Sequence, residues 1–337
     1  MAKPKTSSAR LVVDAARRAD RKALEALLAK GADLNATWRG YRALHALIQE
    51  DPHAQGVRAA TARLPCLEWL LEHGADPELP GAWPPARALL VAAFAGEPSY
   101  VGALCEHGAK LDFFARCALG ELAPVKKELA RSPALALDRD GGALTALQCA
   151  AASRMGGSDP KIAKKLLEIA ALLLEAGADP NARTKSWSHE VDVAYFACNS
   201  GNAEMLDLLL TGGADATAAL PSAVWRKTME LAETCLTHRA KIDEAIAEGR
   251  PLLNELVRWG QVGPALWLLE KGADANLPDA RGWTAVHQAA SRGNERLMRA
   301  ILEAGGDRTR LDKEGLAPWK VAMLARKPKM MELLASR

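Results

Sequence analysis

Apolar positions recur along this chain with helical spacing, in short blocks that keep ending the same way. The strings LLAKGADLNA (27–36), LLEHGADPEL (70–79), LCEHGAKLDF (104–113), LLEAGADPNA (173–182), LLTGGADATA (209–218), LLEKGADANL (268–277) and ILEAGGDRTR (301–310) are copies of one motif. In each, a leucine-rich apolar run meets glycine and then, in most copies, aspartate. Glycine supplies the left-handed conformation just past a helix, and aspartate caps the turn that leaves it. A weaker copy, CLTHRAKIDE (235–244), has Arg239 in the glycine position. The pattern predicts a succession of helices interrupted at regular intervals.

The interval is informative. Gly31 to Gly74 is 43 residues, Gly74 to Gly108 is 34, Gly177 to Gly213 is 36, and Arg239 to Gly272 and Gly272 to Gly305 are 33 each. A period near 33 accommodates two helices and a turn. A second pattern opens the first helix of each unit: Thr284-Ala285-Val286-His287 precedes QAA, RALHALI keeps His45, and TALQCAA has Gln148 in the histidine slot. Leu90, Tyr195 and Asn254 fill that slot elsewhere.

On these motifs the chain resembles the ankyrin repeat family over essentially its whole length. The resemblance implies an all-α solenoid of about ten stacked helix-turn-helix units with short projecting β-turn fingers. It would run as a single array over 1–337, with an N-terminal capping repeat at 8–37, internal repeats at 38–310 and a C-terminal capping repeat at 311–337. It also implies that the threonine and histidine bond locally and tie one repeat to the next. His287 and His45 then support the fold, whereas a catalytic base would have no reason to recur in diluted form at a repeat-periodic position.

Four repeats depart from the pattern. Two carry insertions between their helices, DPHAQGVRAAT (51–61) and RMGGSDPKIAKK (154–165). In the second, Ser158 or Asp159 with Pro160 reads as a helix start. Ser158 and Lys161 formally match an S-x-x-K acyl-enzyme motif, but no companion motif accompanies them. Two other repeats are short, with 24 residues from Gly108 to Ser132 and 26 from Gly213 to Arg239, so their fingers should be largely absent.

Composition supports the helical reading. Hydrophobic residues make up 49% of the chain but aromatics only 5%, so apolarity comes from Ala and Leu, both good helix formers. The net charge of +3 conceals +6 over residues 1–42, −9 over 43–280 and +6 over 281–337. Basic ends around an acidic centre do not make a continuous positive groove, which disfavours nucleic-acid binding. The six cysteines stand singly without zinc spacing, as buried thiols do in a reducing compartment, so no metal or cofactor is expected. No apolar stretch has membrane-spanning length, and the basic start leads into a charged helix where a signal peptide needs an apolar core. A cytoplasmic monomer is expected.

Candidate partner-binding residues collect where fingers should project. Trp38, Trp83 and Trp187 lie four or five residues ahead of the helix-opening slot, and Tyr41 and Trp283 one residue ahead, accompanied by Arg39, Arg42 and Arg87. Exposed Trp, Tyr and Arg are common interface anchors. The alternative is that each ring packs on a neighbouring repeat. Trp69, Trp267 and Trp319 fall at helical core positions and read as packing. The stretch WSHEVDVAYF adds His189, Glu190 and Asp192. The second histidine of an H-E-x-x-H site is missing and Asp192 reads as an N-cap, so these belong to a recognition surface and not to a metal site.

The resulting expectation is a non-catalytic protein–protein interaction module. It would dock a partner on fingers and first helices, and the acidic middle favours a partner with a basic patch. An enzyme or small-molecule site in a concave groove is the first alternative and nucleic-acid binding the second. No phosphate loop, nucleophile elbow or zinc-ligand spacing supports catalysis.

Overall fold

The computed structural model describes residues 7–49, 60–82, 85–157, 159–186, 189–226, 229–244, 246–247 and 249–335. Among them, α-helices follow one another in ten pairs. The fold groups the chain into two compact units. The first runs to Ser200 and includes Glu204–Ala214, and the second takes Gly201–Ala203 and everything from Asp215 onward.

The first unit contains α1 (Ser8–Arg17) with α2 (Arg21–Leu28), α3 (Ala43–Ile48) with α4 (Ala60–Glu72), and α5 (Ala88–Ala95) with α6 (Pro98–Glu106). It continues with α7 (Phe113–Leu119) and α8 (Leu122–Arg131), α9 (Ala146–Ala152) and α10 (Pro160–Glu175), then α11 (Val193–Ser200) and α12 (Ala203–Thr211). The second contains α13 (Ala216–Trp225) with α14 (Met229–Thr237) and α15 (Leu252–Arg258) with α16 (Val262–Glu270). It ends in α17 (Ala285–Arg292) with α18 (Glu295–Glu303) and α19 (Pro318–Leu324) with α20 (Pro328–Ala335).

Local chemistry sets these boundaries. Asp20, Asp112, Asp159, Asp215 and Asn294 each accept a backbone N–H at a helix start, a contact worth about 1 kcal/mol. Asp159 with Pro160 opens α10 as the sequence suggests, while Ser158 and residues 51–59 of the first insertion lie outside the described residues. The motif glycines after the second helices all have φ between +78° and +99°, and Arg239 adopts the same conformation at +62°. The short repeats behave as expected, since α7 begins at Phe113 and α13 at Ala216, each capped directly by the motif's own polar residue.

Packing is by layers. In the first unit α1 lies on α3, α3 on α5, α5 on α7, α7 on α9 and α9 on α11; in the second, α15 lies on α17 and α17 on α19. Alanine pairs such as Ala92–Ala93, Ala150–Ala151 and Ala289–Ala290 are buried between these first helices and let the backbones approach. Leucines from the second helices, including Leu70, Leu104, Leu173 and Leu268, fill the remaining space, each stabilising by about 1.5–3 kcal/mol.

Two hydrogen-bond systems stitch successive repeats. The helix-opening slot reaches forward. His45 Nε2 lies 2.7 Å from the Ala86 carbonyl, the Gln148 amide donates to Ala182 O at 3.0 Å, the Asn254 amide to Leu277 O at 2.9 Å, and His287 Nε2 lies 3.2 Å from Leu316 O. His287 Nδ1 meanwhile accepts the Thr284 N–H at 3.2 Å. Gly81 is required here, because a Cβ on it would sit 2.6 Å from the His45 ring.

The second system uses the residue four positions after the glycine, or after Arg239, in five of the motif strings. Its side chain accepts the backbone N–H two residues past the next repeat's glycine position. These pairs are Asn35 with Asp76 (2.7 Å), Glu78 with Lys110 (2.9 Å), Thr217 with Lys241 (2.9 Å), Asp243 with Asp274 (2.8 Å) and Asn276 with Asp307 (2.7 Å).

Candidate partner-binding surface

Trp38 and Tyr41 are held by one tight turn. Their backbones exchange both hydrogen bonds, at 2.9 and 3.0 Å, across Arg39 (φ +49°) and Gly40 (φ +79°). Positive φ at both central residues is the signature of a type I′ hairpin. Gly40 is doubly constrained, since a Cβ would also come within 2.7 Å of the Ala82 Cβ on the next finger. Around this turn the Arg10 and Arg39 guanidiniums lie 5.9 and 5.8 Å from the Trp38 ring, and Arg17 lies 5.1 Å from the Tyr41 ring. Asp14 pairs with both Arg10 (3.4 Å) and Arg17 (3.6 Å) from the same helix face. The result is a half-buried aromatic pair among cations, on a rigid support.

Two of the expected arginines are committed to the fold. Arg42 donates to the carbonyls of Pro80 and Asn35. Arg87, expected beside the loop aromatics as a surface charge, is 5% exposed and ion-paired with Asp112 (2.7 Å) and Glu78 (3.0 Å). Burial opposes its charge, but the two carboxylates outweigh it and raise its pKa. The correction has a simple cause: both anions come from motif strings on either side of Arg87, so the charge is neutralised where it stands.

Trp83 and Trp187 lie outside the described residues. On either side of residues 187–188, β1 (Thr184–Ser186) pairs antiparallel with β2 (His189–Val191), with Ser186 opposite His189 and Lys185 opposite Glu190. Glu190 is exposed and meets Arg183 at 4.0 Å. Asp192 accepts the Tyr195 N–H at 2.7 Å, the N-cap role read from sequence. No group of three or more His, Cys, Asp or Glu among the described residues is placed to hold a metal ion.

In the second unit, Trp283 is half-buried. Its indole N–H donates to Asp312 at 2.9 Å, its ring stacks on His287, and Arg281 lies 4.2 Å over it. Burial works against the Asp312 carboxylate, but donors from Leu316, Glu314 and Trp283 hold its pKa below the usual range. Other tryptophans depart from expectation. Trp69 is buried, but Trp319 is 40% exposed and Trp267 is half-buried, with its indole N–H on Glu233. Cys105 is exposed while the other five cysteines are buried.

Sequence reasoning missed a network beside Trp283. Glu255 on α15 is 1% exposed and meets Arg250 (3.1 Å), Arg258 (3.0 Å) and the Trp259 indole N–H (2.6 Å). Arg250, in the short hairpin of β3 (Ile246–Ala247) and β4 (Arg250–Pro251), also approaches Asp279 at 3.7 Å. Asp279 shapes the next finger by accepting the N–H groups of Arg281 and Trp283, both at 2.9 Å. The available signal was an acidic residue inside the apolar run LLNELV.

Stacked helix pairs, finger turns and forward-reaching slot residues define an all-α repeat protein. Residues 253–337 match the family described as ankyrin repeats (3 copies) and residues 144–185 match ankyrin repeat. Residues 144–185 and 253–337 are thus ankyrin repeats. The chain is 37% identical over 86 residues to inversin of Gallus gallus, covering 26% of this chain and 8% of inversin. It is 36% identical over 87 residues to the 2-5A-dependent ribonuclease of Mus musculus, covering 26% of this chain and 12% of that protein. The matches to these relatives therefore span about a tenth of their lengths. In fold it is similar to the human ASB11 ankyrin repeat domain, with a TM-score of 0.50 and 23% identity, over 67% of this chain and 96% of that domain. Ankyrin repeats are in general modules that bind other proteins. No described helix is long and apolar enough to cross a membrane.

Proposed function

We propose that the chain is a non-catalytic docking module that grips a partner protein through its finger turns and the adjoining first-helix ends. The observation that carries this reading is the Trp38–Tyr41 turn. Two half-buried aromatic rings are held at fixed positions by backbone bonds and ringed by Arg10, Arg17 and Arg39. Such an arrangement supplies apolar contact and cationic hydrogen-bond donors with little side-chain entropy left to lose on binding. The acidic stretch 43–280 would meet basic groups of the partner, setting orientation and association rate. A reducing, cytoplasmic setting suits six cysteines held as thiols.

The test is affinity capture from native lysate with the full chain and with a Trp38→Ala/Tyr41→Ala variant of equal thermal stability. Loss of specific partners from the variant supports the reading. Identical recovery, or retention dominated by nucleic acid that salt removes, overturns it.

A further inference from the structure

The first helices can be superimposed by distance from the histidine slot. The position taken by Glu255 is then occupied by Ala46, Val91, Cys149, Phe196 and Val321 in other repeats, by the buried Gln288 in the next one and by Arg116 in a short one. Most repeats place a modest apolar or aromatic side chain there, and a buried carboxylate costs several kcal/mol of desolvation unless it is well partnered. Glu255 is partnered entirely by groups from the surface: two arginines and an indole N–H. Its effect is to fix three side chains at the surface.

Those side chains form one side of a platform. Trp259 is 55% exposed with the Arg258 guanidinium 5.2 Å from its ring. On the adjoining finger, Arg281 has a side chain 57% exposed and lies over Trp283. Arg250 joins the halves by approaching both Glu255 and Asp279. The carboxylates of this network are 1% exposed whereas its arginines are 26–57% exposed, so the face presented to solvent is cationic and aromatic. Arg250, Arg258 and Trp259 lie within the net-acidic stretch 43–280, while the segment 281–337, which holds Arg281 and Trp283, carries +6 and reinforces the positive sign on its side of the platform.

We propose that this platform docks an acidic peptide segment. Its Asp or Glu carboxylates would meet the forks of Arg258 and Arg281, and its backbone and aliphatic atoms would lie on Trp259 and Trp283. Arginine held in place by a buried anion loses little freedom when it takes a second carboxylate, and its planar fork suits bidentate recognition. The inference rests on the reading of the chain as a protein-docking module and adds the partner's chemistry at one face. This locally cationic face would engage a different part of the partner from the basic groups that suit the rest of the acidic stretch 43–280.

The experiment is selection from a random-peptide display library on the full chain, followed by binding titrations of the enriched peptides. Arg281→Glu and Trp259→Ala alter exposed groups, and Arg39→Glu serves as a control on the other unit. The proposal expects enrichment of Asp- and Glu-rich peptides whose affinity falls about tenfold or more in Arg281→Glu and Trp259→Ala but not in Arg39→Glu, and weakens with salt. Enriched peptides lacking acidic residues, or acidic ones indifferent to both platform variants, overturn it. So does a single-stranded DNA oligonucleotide that binds the platform more tightly than any peptide. Acid-free peptides that depend on Trp38 and Tyr41 would overturn this inference while leaving the docking function intact, and a library that enriches nothing would sink both.

Discussion

Arg87 and Asp112 face one another at 2.7 Å, joining the N-cap of α5 to the N-cap of α7 through a guanidinium that also holds Glu78 at 3.0 Å. A side chain that begins one repeat is thereby fastened to the start of the next. Arg87→Ala should lower unfolding stability by about 2–3 kcal/mol, less than a fully enclosed ion pair because both carboxylates keep some water. Urea denaturation checks this. Arg87→Lys should recover only part of the loss, since a single ammonium cannot reproduce the fork. Full recovery by lysine would contradict the two-anion geometry.

Arg239 sits at φ +62° where the parallel positions hold glycine. A residue with a Cβ in that conformation is strained by roughly 1–2 kcal/mol, and glycine gives back part of the gain through unfolded-chain entropy. Arg239→Gly should therefore stabilise the chain by about 0.5–1 kcal/mol. The reverse change, Gly272→Ala at φ +89°, should destabilise it by a similar amount. Paired thermal melts test both signs at once.

His45 is 1% exposed, and burial, aided by the nearby Arg42 and opposed by the bond to Ala86, lowers its pKa to about 4. Its folded pKa lies below the unfolded value, so the unfolded chain binds the proton first. The stability it contributes is fully present above pH about 6.5 and drains away as pH falls toward 4, amounting to about 3 kcal/mol. His45→Gln should flatten that part of the stability–pH curve without unfolding the chain. Gln148 already occupies the same slot, bonding forward to Ala182 O and back to the Thr145 N–H. Parallel slopes for the variant and the parent between pH 6.5 and 4 would refute the assignment.

Glu255→Leu offers a separation of fold from function. The substitution puts an apolar side chain where Val91 and Phe196 stand in other repeats, and it leaves Arg250 and Arg258 partly exposed, where water replaces the carboxylate, so stability should stay within about 1 kcal/mol of the parent. The Trp259 indole loses its acceptor, and tryptophan emission should shift as the ring gains freedom. Large destabilisation would instead show that Glu255 is a structural element of the repeat.

The architecture was legible because its determinants are local. Glycine after a helix, a capping residue before one and a slot residue reaching one repeat forward all repeat at a fixed period. What stayed hidden depends on residues that the period does not bring together in sequence. Arg87 is buried by carboxylates 9 and 25 residues away. Trp319 read as core from its helical position, but α19 packs chiefly on α17 and α20, and Trp319 and Leu324 stay exposed. Trp38, Tyr41 and Trp283 were visible as finger aromatics, and the structure shows each to be half-buried by its own neighbours. Trp259 was overlooked because it closes a helix; the misplaced charge of Glu255, four residues earlier, was the clue.

The motif-end stitches follow a looser rule than residue identity. Asn35, Glu78, Thr217, Asp243 and Asn276 all receive a neighbour's N–H, although one is a hydroxyl, two are amides and two are anions. Stacking register is thus written in an atom type, an oxygen at a set distance from the backbone. The electrical sign of each junction is left free to vary. Neighbouring repeats could exchange neutral for negative acceptors, and so redraw the charge map of the surface, while the stack beneath stayed in place.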